Sequence, residues 1–246
     1  MAKDDRDLTS RAGEQGFAVT RSPSGAVDAF LDRARRVAPA GPAGGGRLVF
    51  ALDATLSRQP TWDLACRLQA DMFRAASDIG SLRVQLVYFR GFAECRSSSW
   101  IADPAALTSM MIGIRCQGGM TQIGRVLRHV REEARAEPLR AFVLVGDAME
   151  ESVDALCAAA GELGLLGIKG FLFQEGHDPV AEGAFREMAR LTGGAYARFS
   201  AGAADALRDL LRAAAAYAAG GRPALERIAK AGGEDARRLL TQVREG

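Results

Sequence analysis

Three oxygen-bearing side chains, Asp53, Thr55 and Ser57, follow the apolar stretch Leu48–Leu52 at alternate positions. A hydroxyl at this place can cap the helix that is predicted to begin near Pro60. The same oxygens can bind a hard cation, which prefers oxygen ligands. The Asp53 carboxylate can also act as a nucleophile. The stretch by itself leaves all three roles open.

Two further stretches place oxygen ligands at the ends of predicted strands. Thr121 begins a predicted helix after a glycine-rich loop, and Asp147 directly follows the apolar strand 140–146. In a parallel sheet the carboxyl ends of the strands share one edge, where ligands bind. We therefore expect one cluster of two carboxylates and three hydroxyls: Asp53, Thr55, Ser57, Thr121 and Asp147. A ligand set of oxygens alone is typical of Mg²⁺, with Mn²⁺ or Ca²⁺ as alternatives.

The rest of the chain alternates apolar strands with amphipathic helices. Strands are predicted from Arg47 onward and at 82–89, 140–146, 168–174 and 195–200. Helices are predicted at 60–76, 121–135, 153–164, 180–193 and 204–218. This alternation is typical of a Rossmann-like α/β fold, a doubly wound and mostly parallel sheet with helices on both faces.

The predicted organisation has three parts. Residues 1–45 form an N-terminal arm with a short amphipathic helix and a Gly/Pro linker. Residues 46–218 form the α/β domain, and residues 219–246 form a helical C-terminal extension.

Composition and charge exclude several classes of function. A net charge of +2 over 246 residues gives no broad attraction to nucleic acid. The N-terminus lacks the apolar core of a secretory signal, and no apolar run approaches the roughly 18 residues of a membrane span. The four cysteines form no C-x-x-C pair, so a zinc ribbon is not expected. We expect a cytoplasmic protein that binds neither nucleic acid nor membrane.

The three site motifs, in this order, resemble those of the von Willebrand factor A (VWA) domain, in its bacterial intracellular type. That family carries a metal-ion-dependent adhesion site (MIDAS). Its D-x-S-x-S motif corresponds to Asp53, Thr55 and Ser57, with a threonine in place of the first serine. Its threonine corresponds to Thr121 and its later aspartate to Asp147.

The resemblance implies a protein-interaction module. In the family the hydroxyls bind the metal directly, and the later aspartate often acts through water. A carboxylate from a partner protein fills the open position. Related domains work beside AAA+ ATPases or in other assemblies. The resemblance therefore implies a partner that donates Asp or Glu to the metal.

The alternative is a phosphatase of the haloacid dehalogenase type with Asp53 as the nucleophile. That chemistry requires a cation to neutralise the phosphoryl group. No lysine occurs between positions 4 and 168, although an arginine could substitute imperfectly. Thr55 also stands where most such phosphatases have their general acid. A third possibility is a metal-free scaffold that binds partners through its terminal helices. We expect the binding module and no enzymatic activity.

Overall fold

Strands with continuous apolar runs in their middle build the centre of the fold, because helices cover both faces of the sheet. The computed structural model describes residues 45–56, 59–77, 79–200 and 203–244. The strands are β1 (Gly46–Asp53), β2 (Leu82–Arg90), β3 (Glu94–Ser97), β4 (Ala141–Gly146), β5 (Lys169–Glu175) and β6 (Ala195–Phe199). Every residue of β1, β4 and β5 is buried.

The six strands lie in the order β3-β2-β1-β4-β5-β6. All neighbours are parallel except β3, which pairs antiparallel with β2. The chain winds outward from β1 in one direction and from β4 in the other, so the topological switch point lies between these strands. The predicted doubly wound, mostly parallel α/β sheet is confirmed.

The helices divide between the two faces of the sheet. They are α1 (Gln59–Ser77), α2 (Pro104–Ile112), α3 (Ile123–Ala136), α4 (Val153–Leu165), α5 (Pro179–Thr192), α6 (Ala204–Lys230) and α7 (Glu234–Leu240). One hydrophobic cluster joins the sheet to α1, α2, α6 and α7, and a second joins it to α3, α4 and α5. Within the described ranges, no helix is both long and apolar enough to cross a membrane.

Sequence periodicity does not predict β3 or α2. Strand β3 has only four residues, two of them half-buried and two exposed, so it lacks the apolar run of the central strands. Helix α2 has a clear local start, because the Asp103 carboxylate accepts hydrogen bonds from the backbone N–H groups of Ala105 and Ala106. This short pair of elements fills the connection between β2 and α3.

The C-terminal residues are part of the core. The predicted extension from 219 begins within α6, which continues to Lys230 after a change of direction at Gly221. Leu225, Leu239 and Val243 belong to the same hydrophobic cluster as the sheet. The predicted N-terminal arm lies outside the described residues, apart from its last residue.

The segment after α7 covers the outer edge of β6. The Tyr196 N–H donates to Gln242 Oε1 at 2.9 Å, and Gln242 Nε2 donates back to the Tyr196 carbonyl at 3.0 Å. The Arg244 N–H donates to the Gly193 carbonyl at 3.0 Å. A single side-chain amide thus forms the pair of hydrogen bonds that a neighbouring strand would form.

Candidate metal site

The register of the sheet brings Asp53 and Asp147 to neighbouring positions. Leu52 pairs with Val145 across the parallel β1–β4 ladder. Asp53 therefore aligns with Gly146, and Asp147 is the next residue. Neighbouring strands lie about 4.8 Å apart, so both aspartates leave the sheet at the switch point.

Asp53 is almost completely buried, at 3% exposure. Its Oδ1 accepts a hydrogen bond of 2.7 Å from the Thr55 N–H, which fixes the turn after β1. By the alternation of a strand, Asp53 lies on the same face as Val49 and Ala51, which pack with α3. The carboxylate thus lies on the side of the sheet where α3 begins. Ser57 falls outside the described residues, so its position stays a prediction.

The loop before α3 lies across the ends of β1 and β2. The Gln117 N–H donates to the Ala54 carbonyl at 2.9 Å, and the Met120 N–H donates to the Gly91 carbonyl at 3.1 Å. These bonds deliver Thr121, the next residue, to the edge of the sheet where Asp53 lies.

The Thr121 hydroxyl is held by Glu150, from the loop after β4. The Thr121 N–H and Oγ1 both donate to Glu150 Oε2, at 2.9 and 2.8 Å. The Glu150 N–H donates to Thr121 Oγ1 at 3.2 Å. A hydroxyl has one proton and two lone pairs, so one lone pair has no partner among the described residues. Donating the proton to a carboxylate makes the oxygen more electron-rich, which suits a metal ligand.

Glu151 caps helix α3 from the same loop. Its carboxylate accepts hydrogen bonds from the Ile123 and Gly124 N–H groups, at 2.5 and 3.0 Å. The N-cap residue itself, Gln122, makes no side-chain capping bond. A carboxylate at a helix N-terminus is favourable. Glu150 and Glu151 therefore fix the start of α3, although in the sequence they lie just before α4.

A third strand end carries a carboxylate that the sequence analysis missed. Glu175 ends β5, is 7% exposed and accepts a hydrogen bond from the Thr61 hydroxyl in the first turn of α1. The only signal in the sequence is an acidic residue after an apolar strand. Glu175 ends its strand at the same edge as Asp53, but on the face that packs with α1 rather than α3.

The donor set fits a hard cation only if hydroxyls take part. Four of the five predicted ligands, Asp53, Thr55, Thr121 and Asp147, lie at the carboxyl edge of the sheet or in the loops that meet there. Within the described ranges, no group of three or more His, Cys, Asp or Glu side chains could hold a metal. A cation here would depend on two carboxylates together with the hydroxyls. Which of these side chains bind one stays a prediction.

The strand order and the two helical layers match those of solved structures that include VWA domains. Similar solved structures include an aerotolerance-related membrane protein from Bacteroides fragilis (TM-score 0.54, 18% identity, 70% of this chain and 98% of that chain). The SpRpn10 VWA domain is also similar (TM-score 0.53, 10% identity, 65% and 90%). So is proximal thread matrix protein 1 of the mussel byssus, a structure with a zinc-occupied MIDAS motif (TM-score 0.55, 14% identity, 70% and 46%). At these identities the likeness shows the fold alone.

Sequence comparison adds nothing to this likeness of fold. No protein-family model matches the chain, and no curated protein matches it in sequence. The likeness to the solved structures confirms the fold part of the VWA resemblance. The MIDAS and the bacterial intracellular type belong to the proposal below.

Proposed function

We propose that the chain is a protein-interaction module of the bacterial intracellular VWA type. In it a Mg²⁺-type cation binds a carboxylate of a partner protein. The cation would be held by five side chains: Asp53, Thr55, Ser57, Thr121 and Asp147. The observation that carries the proposal is the Thr121 hydroxyl, anchored by Glu150 beside the ends of β1 and β4 with a lone pair left for a ligand.

Hydrogen bonds within the chain hold the parts of this site in position. Glu150 keeps the Thr121 oxygen in place, and Glu151 fixes the start of α3. The turn from Asp53 to Thr55 is held by its own hydrogen bond. When bound, the cation supplies Lewis acidity toward one more carboxylate, because neutral hydroxyls make up most of its protein ligands.

One comparison supports the nature of the metal. A similar fold carries zinc in its MIDAS motif, which makes a divalent metal reasonable here. We propose a partner that donates Asp or Glu, such as an AAA+ ATPase or another assembly component, in the cytoplasm.

The proposed module has no enzymatic activity. A phosphatase with Asp53 as nucleophile would need a nearby cation. Lys169 is buried at the first position of β5, at the opposite edge of the sheet from Asp53. It therefore cannot serve that reaction, and nothing described favours the phosphatase.

The test is metal-dependent stabilisation of the full chain. MgCl₂, MnCl₂ or CaCl₂ is titrated while thermal unfolding is followed. A ligand at a hundred times its Kd stabilises the folded state by about 2.7 kcal/mol, so the wild-type Tm is expected to rise. Asp53→Ala and Thr121→Val should abolish the rise, whereas Thr121→Ser should keep it. Asp205→Ala removes an exposed carboxylate on α6 and serves as the matched control.

Three results would contradict the proposal. The first is a wild-type chain whose Tm does not respond to any of the three metals. The second is a metal response that survives in Asp53→Ala. The third is metal-dependent turnover of a simple phosphate ester that is lost in Asp53→Ala, which would assign the phosphatase reaction instead.

A further inference from the structure

Lys169 is a buried lysine whose amine is unpaired. It is the first residue of β5 and is only 7% exposed. Its backbone N–H donates to the Arg140 carbonyl at 2.9 Å, but its side chain has no hydrogen-bond or ion-pair partner among the described residues. Buried charges in proteins are normally paired, because an isolated charge is costly to remove from water. An amine that is enclosed in this way is suited to hold an anion.

The end of the Lys169 side chain keeps an opening to solvent. Within the described ranges, the fully enclosed side-chain nitrogens without a partner are the Nε atoms of Arg47 and Arg131, and Lys169 Nζ is not among them. Phe171, two residues along the strand, packs in the cluster that joins the sheet to α6 and α7, so the Lys169 stem lies on the same face. The stem is covered, and the amine opens at the edge where the strands begin, which we call the amino edge.

Arg244 brings a second positive charge to this amine. Lys169 Nζ lies 3.0 Å from the point where a Cβ on Gly193 would stand, and Arg244 Cδ lies 3.8 Å from the same point. The Arg244 N–H donates to the Gly193 carbonyl at 3.0 Å, which holds the two side chains beside each other. Gly193 ends α5 with φ 62°, a conformation that favours glycine, so position 193 places no side chain between them.

Carboxylates on the adjoining helices do not neutralise the two cations. Glu187 of α5 and Glu226 of α6 are each paired with an arginine of their own helix. Burial and the charge of Arg244 lower the pKa of Lys169, and no carboxylate of the described residues acts to raise it. The ammonium and the guanidinium therefore lack a counter-charge within the part of the chain that the structure describes.

We propose that Lys169 and Arg244 form a binding site for a small oxyanion, such as phosphate or a carboxylate, at the amino edge of the sheet. Both side chains donate charge-assisted hydrogen bonds to its oxygens, and such bonds are stronger than those between neutral groups. A bound anion joins the start of β5 to the segment after α7. The site lies at the opposite edge of the sheet from Asp53, so it does not depend on the proposed metal.

The oxyanion can come from solution or from Glu245, which follows Arg244 in the sequence. Nuclear magnetic resonance of the full chain with isotope-labelled lysine distinguishes these sources. The chain has only three lysines, Lys3, Lys169 and Lys230, and Lys169→Met identifies the relevant signal by its loss. A signal from the amine itself is needed, because phosphate also stabilises proteins in general by exclusion from their surfaces.

Sodium phosphate is titrated at constant ionic strength. We expect a saturable change in the Lys169 signal and a rise in the pKa of Lys169, because an opposite charge favours the ammonium form. The exposed Lys230 should not respond. Arg244→Gln should weaken phosphate binding about tenfold or more, the scale of a lost hydrogen bond between charged groups. The matched control, Arg135→Gln, removes an exposed arginine of α3 on the other face of the sheet and should change binding less than about twofold.

Each outcome decides the inference. Saturable binding to wild type that Arg244→Gln weakens and Arg135→Gln keeps would support the site with a free anion as its ligand. A response in Glu245→Gln but not in wild type would support the site and identify the carboxylate of Glu245 as its ligand. No response in either chain, an equal response of Lys169 and Lys230, or unchanged binding to Arg244→Gln would overturn the inference. None of these results requires Mg²⁺, so the proposed metal site stands or fails separately.

Discussion

Glu151 stabilises a helix to which it does not belong. Its carboxylate binds two N–H groups at the start of α3 from 27 and 28 residues further along the chain. These groups have no partner within the helix, because the first turn of any helix leaves its N–H groups free. The contact ties the end of β4 to the loop that carries Thr121.

Replacing this carboxylate should destabilise the fold measurably. We expect Glu151→Ala to lower the free energy of unfolding by about 1–2 kcal/mol, the usual cost of losing a helix cap. Urea denaturation measures this difference. Glu132→Ala removes an exposed glutamate of α3 and is expected to change stability by less than about 0.5 kcal/mol. Equal stabilities of the two variants would show that Glu151 does not cap α3.

At this scale the sequence predicts where the proposed ligands lie better than what holds them. Asp53 and Asp147 are predictable because each follows an apolar strand. The role of Glu150 is not, because its contact with Thr121 spans 29 residues and depends on how two loops pack. Ser57 lies outside the described residues, so its role as a ligand is a prediction from the sequence alone.

A partly buried ionic network joins elements at the other edge of the sheet. The Arg47 side chain, 3% exposed, donates to Glu133 Oε2 at 2.8 Å and to the Glu137 carbonyl at 2.7 Å. Its guanidinium lies 3.9 Å from the centre of the Trp100 ring. Glu133 also accepts from Gln85 and from the Trp100 indole. The start of β1, the middle of β2 and the end of α3 are thereby fixed together.

The network gives Glu133 an altered pKa. Burial raises the pKa of this carboxyl. Hydrogen bonds from Gln85 and Trp100 and the charges of His129 and Arg47 lower the pKa, and together they outweigh the effect of burial. The net pKa is below the ordinary glutamate value. The ionised form therefore stabilises the fold above the unfolded pKa, and this stabilisation is lost as the pH falls through the folded pKa.

Glu133→Gln should therefore destabilise the fold most at neutral pH. We expect a loss of about 2 kcal/mol there, the scale of a hydrogen bond to a charged group. The loss should shrink in acid, because wild-type Glu133 is then protonated too. Urea denaturation from neutral pH to below the glutamate range measures this trend, with exposed Glu132→Gln as the control. A difference between wild type and Glu133→Gln that stays constant with pH would contradict it.

The elements themselves are largely predictable, for a physical reason. The central strands β1, β4 and β5 are buried throughout and apolar in their middle residues, because both of their faces are covered. Strand β3 escapes prediction because an edge strand of four partly exposed residues has no such run. The strand order requires tertiary pairing, which single-sequence periodicity does not contain.

For the whole molecule, the C-terminal segment belongs to the fold. Leu225 and Leu239 are fully buried, and Val243 is 4% exposed. Losing one buried leucine side chain costs about 2–5 kcal/mol, and domains of this kind are stable by only about 5–15 kcal/mol.

A chain that ends at residue 218 should therefore lose cooperative unfolding. Thermal unfolding followed by circular dichroism, together with binding of a hydrophobic dye, measures this loss. A chain that ends at Arg244 lacks only two residues and should unfold as wild type does. Cooperative unfolding of the 218-residue chain at the wild-type temperature would establish 46–218 as an independent domain, as the sequence predicts.

The pairing of Tyr196 with Gln242 also bears on self-association. Unpaired peptide groups at a sheet margin can template strand addition from another molecule. Gln242 occupies the outward peptide groups of Tyr196, the second residue of a five-residue strand. Copies of the chain therefore cannot stack into a continuous intermolecular sheet through β6 without displacing that glutamine. A strand from another copy could still pair with β3 at the opposite edge of the sheet, but β3 has only four residues.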